Sequence, residues 1–187
     1  MDANEAELIR RFQAGEKESF DDLMIMFQDR ALSLAWHLVG NRDDALDLVQ
    51  EAFLKMYRVL PRWEPRASLF TWLYRVILNQ ARDRGTRMSR RGWISLERIA
   101  DPADPAPGLA PSAGMETSET LSRIAAAVDN LPSRQKEVFV LRHYQGLQLK
   151  EIAETLGRSL GGVKANLHHA VRKLRAELVD LLEGESE

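Results

Sequence analysis

Apolar residues recur in this chain at steps of three and four over most of its length, and almost nowhere at steps of two. From Ala45 the series runs Leu48, Val49, Ala52, Phe53, Met56, Tyr57 and Leu60, one side of a helix that Pro61 ends. A second stripe runs Leu69, Trp72, Leu73, Val76 and Ile77, and continues through Gln80 and Ala81. Segments 5 to 13 and 19 to 39 also read as helices, so residues 1 to 91 are expected to form an N-terminal helical bundle. A strand needs a period of two, which this chain lacks. The expected fold class is all-α.

The pattern fails after Trp93. Pro102, Pro105, Gly108, Pro107, Pro111 and Gly114 interrupt any regular element, and residues 92 to 118 read as a flexible linker between two small helical domains. Leu121, Ile124, Ala125 and Val128 then restart a helical stripe, which opens a second domain over 119 to 187. Pro132 suits the first turn of a further helix with Val138 and Leu141 inward, and Gly146 suits its end.

The sharpest local pattern follows. Leu149 to Leu156 is a short helix with Ile152, Ala153 and Leu156 inward, Gly157 permits a sharp turn, and Ser159 caps a longer helix with Val163, Leu167, Ala170, Val171, Leu174 and Leu178 inward. This is a helix-turn-helix pattern, whose second helix offers an outer face to a major groove. That face carries Gly161, Gly162, Lys164, Ala165, Asn166, His168, His169 and Arg172. Lys164 and Arg172 suit phosphates or guanine, and the Asn166 amide suits an adenine edge.

Charge agrees with a polyanionic partner. The net charge is only −2, yet residues 62 to 91 and 131 to 175 each sum to +6, with acidic stretches before, between and after them. Clustered Lys and Arg displace counterions from phosphates whatever the whole-molecule charge is. There are no cysteines. That removes disulfides and thiolate metal sites, and fits a reducing compartment. The acidic start and the lack of a long apolar run give an expectation of a cytoplasmic protein with no membrane insertion.

The ordered motifs carry a family resemblance. Asp44 to Phe53 (DALDLVQEAF), Phe70 to Arg75 (FTWLYR), Asn79 to Asp83 (NQARD), Glu151-Ile152-Ala153 and Gly161 to Lys164 (GGVK) resemble extracytoplasmic-function sigma factors, over nearly the whole chain. The resemblance implies a factor that joins core RNA polymerase and directs it to promoters, with sigma region two in the first domain and region four in the second. Asp47, Gln50, Glu51 and Leu54 form one polar strip opposite the apolar stripe. The resemblance makes that strip the contact with the clamp helices of the largest polymerase subunit, with region four reaching the flap of the second-largest.

On the following helix, Arg75, Asn79 and Arg82 share a face that Arg84, Arg87, Arg90 and Arg91 extend. The resemblance makes it the minus-ten surface, where an unstacked base is captured to open the duplex. Asn79 and the loop Trp63 to Ser68, with Arg66, match the pocket, and Trp63, Trp72 and Tyr74 are the aromatics at hand. Trp72 lies on the apolar stripe and is expected in the core. Residues Ser159, Gly161, Gly162, Lys164, Ala165, Asn166, His168, His169 and Arg172 become the minus-thirty-five reader. Here the family usually has Thr, then Ser-Arg, then another Arg, where this chain has Gly162, Ala165, Asn166 and His169. Region-four DNA binding is expected without the usual consensus.

His168 and His169 point about 100° apart with no third ligand one turn away, so no metal and no cofactor are expected. Asp43, Asp44 and Asp47 lack a nucleophile, a phosphate loop or a metal set, so no enzyme activity and no small-molecule substrate are expected; the polymerase does the chemistry. An anti-sigma factor is an expected further partner. The alternatives are a stand-alone helix-turn-helix regulator, which needs only the second basic block, and a sigma-like decoy or adaptor that binds a regulator. Residues 93 to 118 span about 85 Å extended but about 28 Å as a coil, so a free chain more compact than the polymerase-bound one is expected.

Overall fold

Eight α-helices and one 3-10 turn make up the regular structure of the described residues in this computed structural model. It describes residues 3 to 64, 68 to 90 and 115 to 179, without the side chains of 86 to 90 and 115 to 119. Helices α1 (Ala3–Gln13), α2 (Ser19–Val39), α3 (Arg42–Val59) and α4 (Leu69–Arg90) precede the expected linker, and the turn Leu60–Arg62 joins α3 to the next loop. After it come α5 (Met115–Asp129), α6 (Ser133–His143), α7 (Leu149–Leu156) and α8 (Leu160–Glu177). Residues 91 to 114, the greater part of that linker, lie outside the described residues. Helix α5 begins inside the stretch assigned to the linker.

Local chemistry sets the ends of these helices. Helix α2 stops where Gly40 takes φ 75° and its N–H closes on the Trp36 carbonyl at 2.8 Å, a left-handed conformation that costs a glycine little. Helix α3 starts before Ala45 because Asn41 caps it, its Oδ1 accepting from the Asp44 N–H at 2.8 Å. The start of α4 is held twice. Ser68 Oγ accepts from the Thr71 N–H at 3.1 Å, and the buried Glu5 carboxylate of α1 accepts from the Leu69 N–H at 2.6 Å.

The first four helices close over Leu23, Leu34, Leu48, Met56, Leu69, Leu73 and Ile77, all without solvent exposure. Ala31 and Ala35 of α2 and Ala45 and Ala52 of α3 are equally buried, and such small side chains let helix axes come close. Truncating Leu73 to Ala would cost about 2 to 5 kcal/mol. The second group packs on Val138 and Leu141 of α6, Ile152 of α7, and Val163 and Ala170 of α8. The α5 stripe is rotated from expectation. Ala127 and Val128 are buried, whereas Leu121 is 40% exposed.

The two groups touch along a seam in which α6 lies on α2 and α7 lies on α4. The His37 and Tyr144 rings stack across it with centroids 3.7 Å apart. Nearby, the Lys136 ammonium donates to the Leu38 carbonyl at 3.2 Å at the C-terminus of α2, where a cation suits the helix dipole.

Candidate nucleic-acid and polymerase interfaces

Asp47, Gln50, Glu51 and Leu54 all lie exposed along α3, with Leu54 at 54% exposure. Beside them a groove of about 790 Å³ runs between α2 and α3, floored by Phe20, Met24, Val49, Phe53 and Tyr57 and edged by Asp21 and Asp29. Arg84 departs from its expected place. It reaches back from α4 to Asp44 at 2.9 Å, Glu51 at 3.4 Å and Asp47 at 3.6 Å, and so joins the acidic strip rather than the cationic face. The reason is helical phase: nine residues after Arg75, Arg84 sits about half a turn round the helix from it.

Arg75, Asn79 and Arg82 do share one face of α4, and that face meets α7 and the start of α6. Arg75 Nε donates to the Thr155 carbonyl at 3.0 Å, and a second nitrogen donates to the Glu154 carbonyl. Arg82 forks onto Glu137, one of its bonds measuring 2.8 Å, and this pairing pushes the Arg82 guanidinium up against a smaller opposing effect of burial. A further Arg82 nitrogen donates to the Asn79 amide oxygen at 3.2 Å. Between the helices remains a cleft of about 260 Å³ lined by Arg75, Asn79, Arg82, Thr155 and Gly157.

The aromatics divide. Tyr74 is 1% exposed and is not available for base stacking. Its hydroxyl accepts from Arg30 at 3.1 Å and donates to Gln145 Oε1 at 2.6 Å, and burial pushes its pKa up. Trp72 packs against the core as expected, with the half-buried Trp63 edge-on to it at 5.8 Å. The Trp63 indole N–H is buried without a partner. Ser68, expected at DNA, spends its hydroxyl on the start of α4. Arg66, Arg91 and the side chains of Arg87 and Arg90 lie outside the described residues.

Helix α8 presents a different surface. Gly161, Lys164, Ala165, His168, His169 and Arg172 are exposed, and Gly162 and Asn166 are half-buried. Ser159 Oγ accepts from the Gly162 N–H at 3.1 Å, so its hydroxyl caps the helix. The Asn166 amide donates to the Gly162 carbonyl at 2.8 Å, one turn back, which leaves its oxygen and one N–H for a base. Gly157, at φ 61°, turns the chain between α7 and α8 as expected.

Two family models match the chain in order. Sigma-70 region 2 covers residues 23 to 93 and Sigma-70 region 4 covers residues 121 to 174. The relative SigE of Mycolicibacterium smegmatis, an ECF RNA polymerase sigma factor, is 33% identical over 84% of the chain, which spans 60% of that relative. SigW of Bacillus subtilis is 27% identical over 92% of the chain and 96% of its own length. The chain belongs to the extracytoplasmic-function sigma factors. As such a factor it serves promoter-directed transcription initiation with RNA polymerase. Among solved structures, CnrH in complex with the cytosolic domain of CnrY matches with TM-score 0.67 at 25% identity, over 98% of this chain and 99% of that one. The sigma factor RpoE with the anti-sigma factor NepR from Bartonella quintana shares the fold, with TM-score 0.67 at 20% identity, over 86% of this chain and 97% of that one.

Three polar side chains that hold this fold together escaped sequence reasoning. Glu137 is 3% exposed and collects Arg82 from α4 and Arg158 from the turn after α7, the latter at 3.0 Å. A carboxylate one step from Val138 and four from Leu141 on an apolar stripe is the signal that could have found it, since buried charges require partners. Gln13 is the second. Its amide donates to the Leu60 and Trp63 carbonyls at 3.1 and 3.0 Å, fixing the chain that leads out of the 3-10 turn. The third is Gln145, whose amide nitrogen also reaches Ser33 Oγ at 3.3 Å.

Proposed function

We propose that this sigma factor divides its task among three surfaces: α3 docks on polymerase, the α4 face with the loop 63 to 68 captures a minus-ten base, and α8 holds the duplex upstream. In this division region two spans residues 1 to 91, a linker spans 92 to 118, and region four spans 119 to 187. The exposed strip Asp47, Gln50, Glu51 and Leu54 carries the reading. Carboxylates there meet basic side chains of the clamp helices, and Leu54 with the neighbouring groove adds apolar area. Region four meets the flap of the second-largest subunit. The factor acts in the cytoplasm beside its polymerase, and the catalysis belongs to the polymerase; among the described residues no helix is long and apolar enough to cross a membrane.

A helical segment of an anti-sigma factor competes for the same groove, whose apolar floor and acidic edges fit an amphipathic helix bearing basic residues. The first test is transcription in vitro with core polymerase on a library of genomic fragments. Discrete starts that require the protein are expected. Asp47→Arg combined with Glu51→Arg should lower polymerase affinity by about a hundredfold or more and abolish those starts. Starts unchanged in that variant would remove α3 as the docking surface, and unchanged binding to duplex DNA alone would show that the variant still folds.

A further inference from the structure

The cleft of about 260 Å³ has Arg75, Asn79 and Arg82 on one wall and Thr155, Leu156 and Gly157 on the other, with no carboxylate among its lining residues. Its donors are oriented but not used up. Arg75 gives Nε and Nη2 to the Thr155 and Glu154 carbonyls, which fixes its guanidinium against α7, while its Nη1 has no partner among the described residues. Asn79 spends its Oδ1 on Arg82 at 3.2 Å, so the amide keeps its N–H groups as donors. Thr155 is 4% exposed, and its buried hydroxyl has no partner among the described residues. A valine of the same shape would fill that position without leaving a hydroxyl unsatisfied.

Charge decides which ligand suits these donors. Glu137 answers Arg82 and Arg158 together, and Arg75 meets carbonyls only. Arg82 also feels Asp83, which still leaves three guanidinium groups against two carboxylates. The C-terminus of α7 would oppose an anion through its dipole, but its last carbonyls are already matched. The Ala153 carbonyl accepts from the Arg158 N–H at 2.9 Å, that of Glu154 from the Gly157 N–H at 3.2 Å, and that of Thr155 from Arg75 at 3.0 Å. An anion is therefore favoured. Donors arriving from three separate side chains suit an oxyanion with three or more oxygens better than a carboxylate with two. The volume lies below the ~300 to 1,000 Å³ of sites for drug-sized ligands, so the ligand is small.

We propose that this cleft binds a phosphate group, free or as a compact monoester, held by the Arg75 guanidinium, the Asn79 amide and the Thr155 hydroxyl. The site stands on the cleft's own donors and is independent of the minus-ten reading. Because those donors meet only in the folded chain, the ligand binds the folded form and raises the melting temperature.

The test is calorimetric titration of the full chain with inorganic phosphate in a chloride buffer at fixed ionic strength, with thermal melts alongside. Saturable one-to-one binding and a rising melting temperature are expected. Thr155→Val should move two readouts in opposite directions: without phosphate the protein melts higher, because the unpartnered hydroxyl is gone, and phosphate affinity falls about tenfold. A threonine with a structural role alone would not do both. Thr155→Ser should bring the affinity back to within about threefold of the original. Lys17→Gln, which removes an exposed cation between α1 and α2, should leave it unchanged. Methyl phosphate distinguishes the sources: affinity equal to that of phosphate assigns the site to a monoester, and loss of binding assigns it to free phosphate. Should Thr155→Val fail to fold by circular dichroism, Asn79→Asp decides in its place, since a carboxylate on that wall should abolish binding. No saturable phosphate binding, an affinity unchanged in the folded variants, or an equal loss in Lys17→Gln would overturn the site.

Discussion

The two surfaces proposed to face DNA are built from the same materials and stand in opposite states. On α4 the cationic heads of Arg75 and Arg82 are tied to Thr155, Glu154 and Glu137, whereas on α8 Lys164 and Arg172 face solvent. The amides reverse the order of commitment. Asn79 gives only its oxygen to Arg82 and lies exposed; Asn166 is half-buried and bonds its own helix. A basic helix face is therefore not by itself a DNA site. Its availability depends on what carboxylates and helix ends the fold brings opposite it.

The sharpest break of this comparison sets the amides against each other in polymerase-dependent transcription. Asn79→Ala should lower open-complex formation about ten- to a hundredfold, the worth of a well-placed base contact. Asn166→Ala should change it less than about threefold, because that amide is already partly satisfied by the Gly162 carbonyl. Equal defects would contradict the contrast. Salt dependence of duplex binding by the free protein comes next. Lys164→Gln should reduce the slope of log affinity against log salt by about 1, and Arg82→Gln should not reduce it at all while its guanidinium is held by Glu137.

A smaller effect is expected from pH. Burial pushes the His37 pKa down, with the nearby Lys136 charge adding to it and the Ser33 carbonyl and Asp129 opposing. The form in which the two halves touch binds this proton less readily than one in which they part, so the seam is intact above about 6.5 and weakens as pH falls below it. Energy transfer between dyes on Ile25→Cys and Arg175→Cys should drop on acidification, and His37→Gln should flatten the response. The smallest effect lies at the start of α8. Gly161→Ala, with open space at its Cβ, should stabilise the protein by about 0.5 to 1 kcal/mol in thermal melts. Gly162→Ala should gain less, because its Cβ would stand 3.2 Å from the capping Ser159 Oγ.

Much of this was legible in the sequence. Periods of three and four located the helices, Gly157 and Ser159 marked the turn between α7 and α8, and the ordered motifs pointed to the sigma-factor family. The exposed strip on α3 followed from phase alone, being the side away from Ala45, Leu48, Ala52 and Met56. Arg84 was misplaced by counting charge along α4 without turning the helix; its pairing with Asp44, Asp47 and Glu51 was available from the same arithmetic. The burial of Tyr74 was not, because its partner Gln145 lies in the other half of the chain.

What the sequence by itself determined is which side of each helix turns inward, since apolar spacing acts over a turn or two and reports the helix on which it stands. What only the tertiary structure decided is which polar faces stay free. Arg82 meets Glu137 across 55 residues and Arg75 meets Thr155 across 80, and no local period records a partner at that distance. Burial is written into neighbouring residues, whereas the pairing of charges is settled only when the chain has folded and distant carboxylates and carbonyls compete with solvent and with DNA for the same cations.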